Sequence, residues 1–132
     1  MQTITVFDTS QHHVNLRGHL HFINGLSLGF KGVLDTGASK TELSVNFLIA
    51  SNILTSEKIK KMNLEHDQES QKIGKIKLSQ LDICGQSLSD FEVFVSHFSP
   101  HWGIDALIGL DFFKKFRVTV DYSVGHIVTE PF

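Results

Sequence analysis

The run Asp35-Thr36-Gly37-Ala38-Ser39 carries the clearest chemistry in this chain. It follows an apolar stretch (Phe30, Val33, Leu34), so a strand ending here delivers the Asp35 carboxylate on a tight loop. Gly37 lets the backbone approach that carboxylate with no Cβ in the way. Acid–base work by carboxylates on a peptide bond uses two of them sharing one proton, because two in contact do not both ionise. The loop supplies one carboxylate, and the sequence holds no second copy of it. These residues therefore read as half of a site that a second identical chain completes. Far downstream, Leu107-Ile108-Gly109-Leu110-Asp111-Phe112-Phe113 forms a second signature, an apolar pair and a glycine ahead of a short helix.

The elements that must position these motifs are strands in the main. Val14, Leu16, Leu20 and Phe22 alternate with Asn15, Arg17, His19 and His21, the period-two pattern of a half-buried strand. Asn24-Gly25 then predicts a tight hairpin turn with positive φ at both positions. The return strand through Leu26, Leu28, Phe30 and Leu34 runs directly into Asp35. Ser44 is placed to cap a short helix through Val45, Leu48, Ile49 and Ile53. Residues 55–74 are polar, with the weakest periodicity in the chain. Alternation resumes at Ile76 and Leu78, continues through Leu81 and Ile83, turns at Cys84-Gly85-Gln86, and returns through Phe91, Val93 and Val95. Ser96 to Gly103 reads as a loop holding Pro100 and Trp102. A buried strand at Ala106–Leu110, a short helix at Asp111–Lys115 and strands through Phe116–Tyr122 and Ile127-Val128 complete an all-β chain with one or two short helices.

With 132 residues, 41% of them hydrophobic and 20% charged, the chain reads as one globular domain spanning 1–132. Twelve basic against 14 acidic side chains leave a formal charge of -2, which gives no electrostatic case for nucleic acid or an anionic membrane as partner. No apolar run approaches the ~20 residues that span a bilayer, and the N-terminus has neither a basic nor an apolar signal region. The lone Cys84 offers no intrachain disulfide. A cytoplasmic protein without cofactor is the expectation.

Each motif has a plainer reading. Asp35-Thr36-Gly37 alone is also what an ordinary Asp-capped turn looks like. Asp8-Thr9-Ser10 lacks the glycine and the preceding buried strand, and reads as a terminal turn. Of the eight histidines, His19 and His21 share one strand face and form at most half a metal site. That face is polar with no ligand nearby in sequence, so a solvated strand face is favoured and no metal is expected. Cys84, beside a turn glycine with no paired histidine, reads as a structural thiol. Trp102 reads equally as a cover for the core edge or as a pocket wall.

Taken in order, Leu34-Asp35-Thr36-Gly37-Ala38-Ser39 and then Leu107-Ile108-Gly109 before Asp111-Phe112-Phe113 resemble the retroviral-type, retropepsin-like aspartic proteases. The resemblance covers roughly Leu20 to Val128. It implies an acid-protease barrel-like fold, a single-lobe subunit of a homodimer, and an endopeptidase that hydrolyses peptide or protein substrates. It implies that Asp35 is catalytic and that Thr36 hydrogen-bonds across the dimer axis. Gly37 would keep its N–H near the carboxylate, Ser39 would contact the substrate backbone, and Trp102 would lie near the substrate. Asp111 itself reads as a cap for its short helix that also holds the loop beneath the site, rather than as a group that does chemistry. The resemblance further implies that terminal strands of both subunits interleave, and that a hairpin flap covers the substrate. The flap candidate, about Glu65 to Ile76, is polar and has Gly74 as its only glycine, which keeps a second reading open: a catalytically inactive dimeric binding or scaffold domain.

Overall fold

In the computed structural model, which describes residues 1–65 and 72–132, the alternating stretch Asn15–Phe22 forms strand β2 after a short first strand, β1 (Thr3–Val6). Val14, Leu16, Leu20 and Phe22 are buried, while Asn15, Arg17 and His19 are exposed, as period two dictates. The return strand β3 (Ser27–Leu34) pairs antiparallel with β2, from Asn15 opposite Val33 to His21 opposite Ser27. The turn between them differs from the two-residue form expected. Phe22 N–H donates to the Leu26 carbonyl at 2.8 Å, enclosing three residues, and only Gly25 takes positive φ, at 90°. Asn24 instead spends its side chain, whose Oδ1 accepts the Leu26 N–H at 3.0 Å. A three-residue loop with one left-handed residue closes the hairpin without asking Asn24 for that conformation.

After the Asp35 loop come β4 (Glu42–Ser44), helix α1 (Val45–Ala50) and helix α2 (Ser56–Glu65). Ser44 Oγ accepts the Phe47 N–H, the cap expected of it. Helix α2 is an addition to the expected elements, bringing the α-helices to three among the described residues. Only Ile59 and Met62 of its described side chains pack on the core, so its apolar stripe is too thin to register as helical periodicity. The flap candidate falls partly on residues 66–71, outside the described residues. Its remainder is the end of α2 and the start of β5 (Lys72–Ile83).

Strand β5 returns as β6 (Gln86–Ser96) through a tight turn in which Cys84 and Gly85 both have positive φ, 53° and 73°. Next come a 3-10 turn at Pro100–Trp102, β7 (Ala106–Ile108), helix α3 (Leu110–Phe113), β8 (Phe116–Asp121) and β9 (His126–Pro131). Six strands close into a barrel in the order β2-β3-β7-β4-β6-β5. Each of these strands has a hydrogen-bonded neighbour on both sides over at least part of its length. Leu20, Leu43, Leu78, Leu81, Val93, Val95, Ala106, Ile108 and Phe112 are fully or almost fully buried within the core. Phe112 is met edge-on by Phe91 and Phe113, with ring centroids 6.2 and 5.3 Å away.

A separate sheet, β1-β9-β8, joins the two ends of the chain. Strand β9 is central, bonded to β1 on one side and β8 on the other. Terminal strands thus pair within their own chain, with β1 at the edge of this sheet. Ile127 and Thr129 are wholly buried there and Phe7 nearly so, whereas Ile4, Val6 and Phe132 stay exposed. Cys84 is buried, and burial pushes its thiol up to about 11, against a lesser lowering by a hydrogen bond from Thr5. Such a thiol is a poor nucleophile.

His21 is tied down. Its Nε2 lies 2.6 Å from Asp82 Oδ2 on β5 and its Nδ1 lies 2.8 Å from Ser27 Oγ, so the solvated face expected for this residue is corrected. Asp82 also accepts from Gln80 and Ser87, both at 2.6 Å. Partial burial raises the Asp82 pKa, but the bonds from Ser87, Gln80 and His21 outweigh it and leave it lowered. A depressed carboxylate stabilises the fold above its unfolded value, about 3.9, and loses that contribution as pH falls through the lower folded value. Thermal melts across pH 2–6 are therefore expected to show a shallower acid decline for Asp82→Asn than for the parent. Parallel declines would contradict this assignment.

Candidate active site

Two motifs far apart in sequence meet beneath one carboxylate. Strand β3 pairs parallel with β7, placing Gly32 beside Ala106, Val33 beside Leu107 and Leu34 beside Ile108. The register continues one step beyond the strand, where Asp35 N–H donates to the Ile108 carbonyl at 2.9 Å. The loop then folds back on itself: Gly37 N–H donates to Asp35 Oδ1 at 3.0 Å and Ala38 N–H to the Asp35 carbonyl at 3.2 Å. A Cβ on Gly37 would stand 3.3 Å from Asp35 Oδ1, so any side chain here crowds the carboxylate. Asp35 is half-buried, and Thr36 and Gly37 are exposed beside it.

Gly109 is the contact point between the motifs. A Cβ there would lie 2.7 Å from the Lys40 carbonyl carbon and 2.8 Å from the Ala38 oxygen, both backbone atoms with no freedom to withdraw. Leu110 N–H donates to the Ala38 carbonyl and Asp111 N–H to that of Ser39, so the start of α3 holds the loop through its first free amides. Asp111 holds it from below: Oδ2 accepts the Thr41 N–H at 3.0 Å, and Oδ1 accepts the Thr41 hydroxyl at 2.7 Å and its neighbour Phe112 N–H at 3.0 Å. Thr41 Oγ1 in turn accepts the Gly109 N–H at 3.1 Å. Thr41 is wholly buried, and the sequence reading passed over it. The available signal was a hydroxyl six positions after Asp35, meaningful only once Asp111 is known to lie against it.

Above the loop a cavity of ≈ 560 Å³ opens, lined by Asp35 together with Val33, Leu34, Ile104 and Leu107, with His13, His101 and Trp102 among its polar and aromatic walls. Trp102 stands on the 3-10 turn, whose Ser99 cap accepts the His101 N–H and whose end, Gly103, takes left-handed φ of 64°. Its ring leans on Phe98, centroids 5.3 Å apart, which fixes a half-exposed side chain as a wall. The structure thus brings Asp35 and Trp102 to one cavity. Ser39 is exposed and is not among the cavity's lining residues; its main-chain carbonyl serves Asp111 instead. His19 and His21 do not combine, and among the described residues no three ligating side chains group around a metal-sized space. No helix among the described residues is long and apolar enough to cross a membrane.

Compared with known proteins, residues 22–115 match the family described as "gag-polyprotein putative aspartyl protease". No curated protein matches the sequence. Among solved structures, the chain is similar to a retropepsin-like aspartic protease from Rickettsia conorii, with a TM-score of 0.68 at 16% identity, over 98% of this chain and 90% of that one. It is also similar to the retroviral protease-like domain of Ddi1 from Leishmania major, with a TM-score of 0.50 at 15% identity, over 88% of this chain and 93% of that one. Identities this low make both likenesses ones of fold.

Proposed function

We propose that this chain, which belongs to the gag-polyprotein aspartyl protease family, is one subunit of a homodimeric aspartic endopeptidase. The observation that carries the proposal is the Asp35 carboxylate, held by Gly37 N–H on a loop locked to Gly109, Thr41 and Asp111, at the floor of an apolar-walled cavity. The 132 residues carry one such loop, and the reaction needs two carboxylates. A two-fold axis beside the exposed Thr36 brings Asp35 of each subunit together, an isologous contact in which each patch meets its own copy.

In that dyad one carboxyl is protonated and the other ionised. The ionised Asp35 takes a proton from a water molecule, whose oxygen attacks the peptide carbonyl carbon. The protonated partner donates a hydrogen bond to the carbonyl oxygen as negative charge develops on it. The tetrahedral intermediate then collapses, the C–N bond breaks, and a carboxyl proton passes to the leaving amine. Thr36 fixes the two loops across the axis, Gly37 N–H holds the Asp35 carboxylate in place, and Trp102 walls the substrate cavity. Ser39 meets the substrate backbone from the rim. Neither metal nor cofactor takes part. The single buried thiol accords with a cytoplasmic setting, where no disulfide is called for.

The dimer surface we assign includes the outer face of the terminal sheet, where Ile4 and Val6 are 59% and 72% exposed on β1. Two such apolar side chains withdrawn from water contribute about 1.5–3 kcal/mol each. Ile4→Lys with Val6→Lys is therefore expected to weaken dimerisation by more than about 100-fold, read by sedimentation equilibrium. An unchanged association constant would place the interface elsewhere.

The test of activity is digestion of a diverse peptide library across pH 3–8, with cut sites read by mass spectrometry. Internal cleavage that persists with chelators present is the expected result. A second reading, a dimeric binding domain without activity, draws on the polar, glycine-poor segment 65–76; peptide binding with no cut at any pH would select it.

A further inference from the structure

The cavity above Asp35 does not end at Trp102. It continues into a second groove that shares Asn15, Trp102 and Ile104 with it and adds Gln11, Arg17 and Lys31. Arg17 on β2 and Lys31 on β3 are direct cross-strand partners, and both side chains are exposed on the same outer face. Like charges directly opposite each other destabilise a sheet pair. Among the described residues neither side chain has an ion-pair partner. Asp105 lines a further hollow with both cations. Its Oδ2 is committed to the Lys31 main-chain N–H at 2.9 Å, so one carboxylate faces two cations and a positive charge is left over. In a chain of net charge -2, this is a local excess of the opposite sign, sited on the approach to the carboxylate.

We propose that Arg17 and Lys31 form a substrate subsite for the side chain of Asp or Glu. The proposal rests on the peptidase reading and names the substrate class that the site takes. Strand geometry sets the position. Arg17 lies two residues along β2 from Asn15, and Lys31 two residues before Val33 on β3; Asn15 and Val33 both line the Asp35 cavity. Two strand residues span about 6.6 Å, which is also the spacing of same-side side chains in an extended peptide. A substrate residue filling the Asp35 cavity therefore places the residue two positions away over Arg17 and Lys31. There a carboxylate accepts from the guanidinium and the ammonium together, and the like-charge repulsion is relieved on binding. The guanidinium fork sets its orientation.

The test uses a series of neutral decapeptides through which a single Glu, or its isostere Gln, is moved one position at a time. With wild-type protein, one position two residues from the cavity-filling residue is expected to show kcat/KM about tenfold higher for Glu than for Gln, since a charge-assisted bond is worth roughly 1.5–3 kcal/mol. That ratio should fall towards one in Arg17→Gln/Lys31→Gln and at high salt. Arg17→Glu/Lys31→Glu should instead favour Lys at the same position, which a merely unfolded variant does not do. The same peptides are titrated by fluorescence anisotropy against Asp35→Asn. Cleavage with equal Glu and Gln rates at every position overturns the subsite and leaves the peptidase reading standing. Glu-selective binding without cleavage by wild type supports the subsite and removes the peptidase. Neither binding nor cleavage removes both.

Discussion

Asp35→Asn is expected to fold and associate like the parent chain while losing at least about 10³-fold in peptidase rate, within the range that general acid–base catalysis supplies. The amide keeps the carboxylate's shape, and its oxygen still accepts the Gly37 N–H now held at 3.0 Å. It does not exchange a proton with its symmetry mate, so neither the water nor the leaving amine is served. Initial rates on a peptide cut by the parent, measured beside matched thermal melts, check this. A rate within tenfold of wild type would place the chemistry on another residue.

Thr41→Val is the second large effect, and it falls on stability. Valine has nearly the volume of threonine, so no cavity or overlap confuses the result. What goes is a hydroxyl that donates to Asp111 Oδ1 at 2.7 Å and accepts from Gly109 N–H at 3.1 Å, at a position with no exposed surface. The buried Gly109 N–H left without an acceptor costs about 1–3 kcal/mol, and the lost bond to Asp111, whose Oδ1 keeps the Phe112 N–H, about 1 more, so a loss of about 2–4 kcal/mol is expected from denaturant unfolding. Activity should fall further than stability does, because the Asp35 loop is fastened to α3 through this hydroxyl. Thr41→Ser, which restores both bonds, should recover most of it. A valine variant as stable and active as wild type would show that the motifs are joined by the backbone bonds alone.

The parts of the fold legible in the sequence are those set by local pattern. The alternation from Val14 to Phe22, the Ser44 cap and the Cys84-Gly85 turn each rest on residues within a few positions of one another, and each stands in the structure. The two motifs were legible too, and one of their residues is fixed by close contact: only glycine fits at 109, with backbone atoms 2.7–2.8 Å from where a Cβ would be. The unread parts depend on partners distant in sequence. Thr41 and Asp111 are 70 residues apart, His21 and Asp82 are 61 apart, and neither pair carries a periodic signal. Strand β4 is three residues long and gains its place from a parallel partner, β6, and an antiparallel one, β7. Helix α2 presents a polar surface around Ile59 and Met62, so periodicity is faint although the helix forms. Pairing of β1 and β8 on the two sides of β9 was likewise closed to a reading of apolar termini, which look the same whether they pair within a chain or between chains.

The central claim is that one chain holds half a catalytic site. Specific peptidase activity measured against protein concentration, with sedimentation at the same concentrations, tests it most directly. If two Asp35 carboxylates must meet, specific activity declines on dilution in step with the fraction of dimer, and adding excess Asp35→Asn chains suppresses the remainder by forming mixed dimers. Full specific activity at concentrations where only the monomer sediments would contradict it.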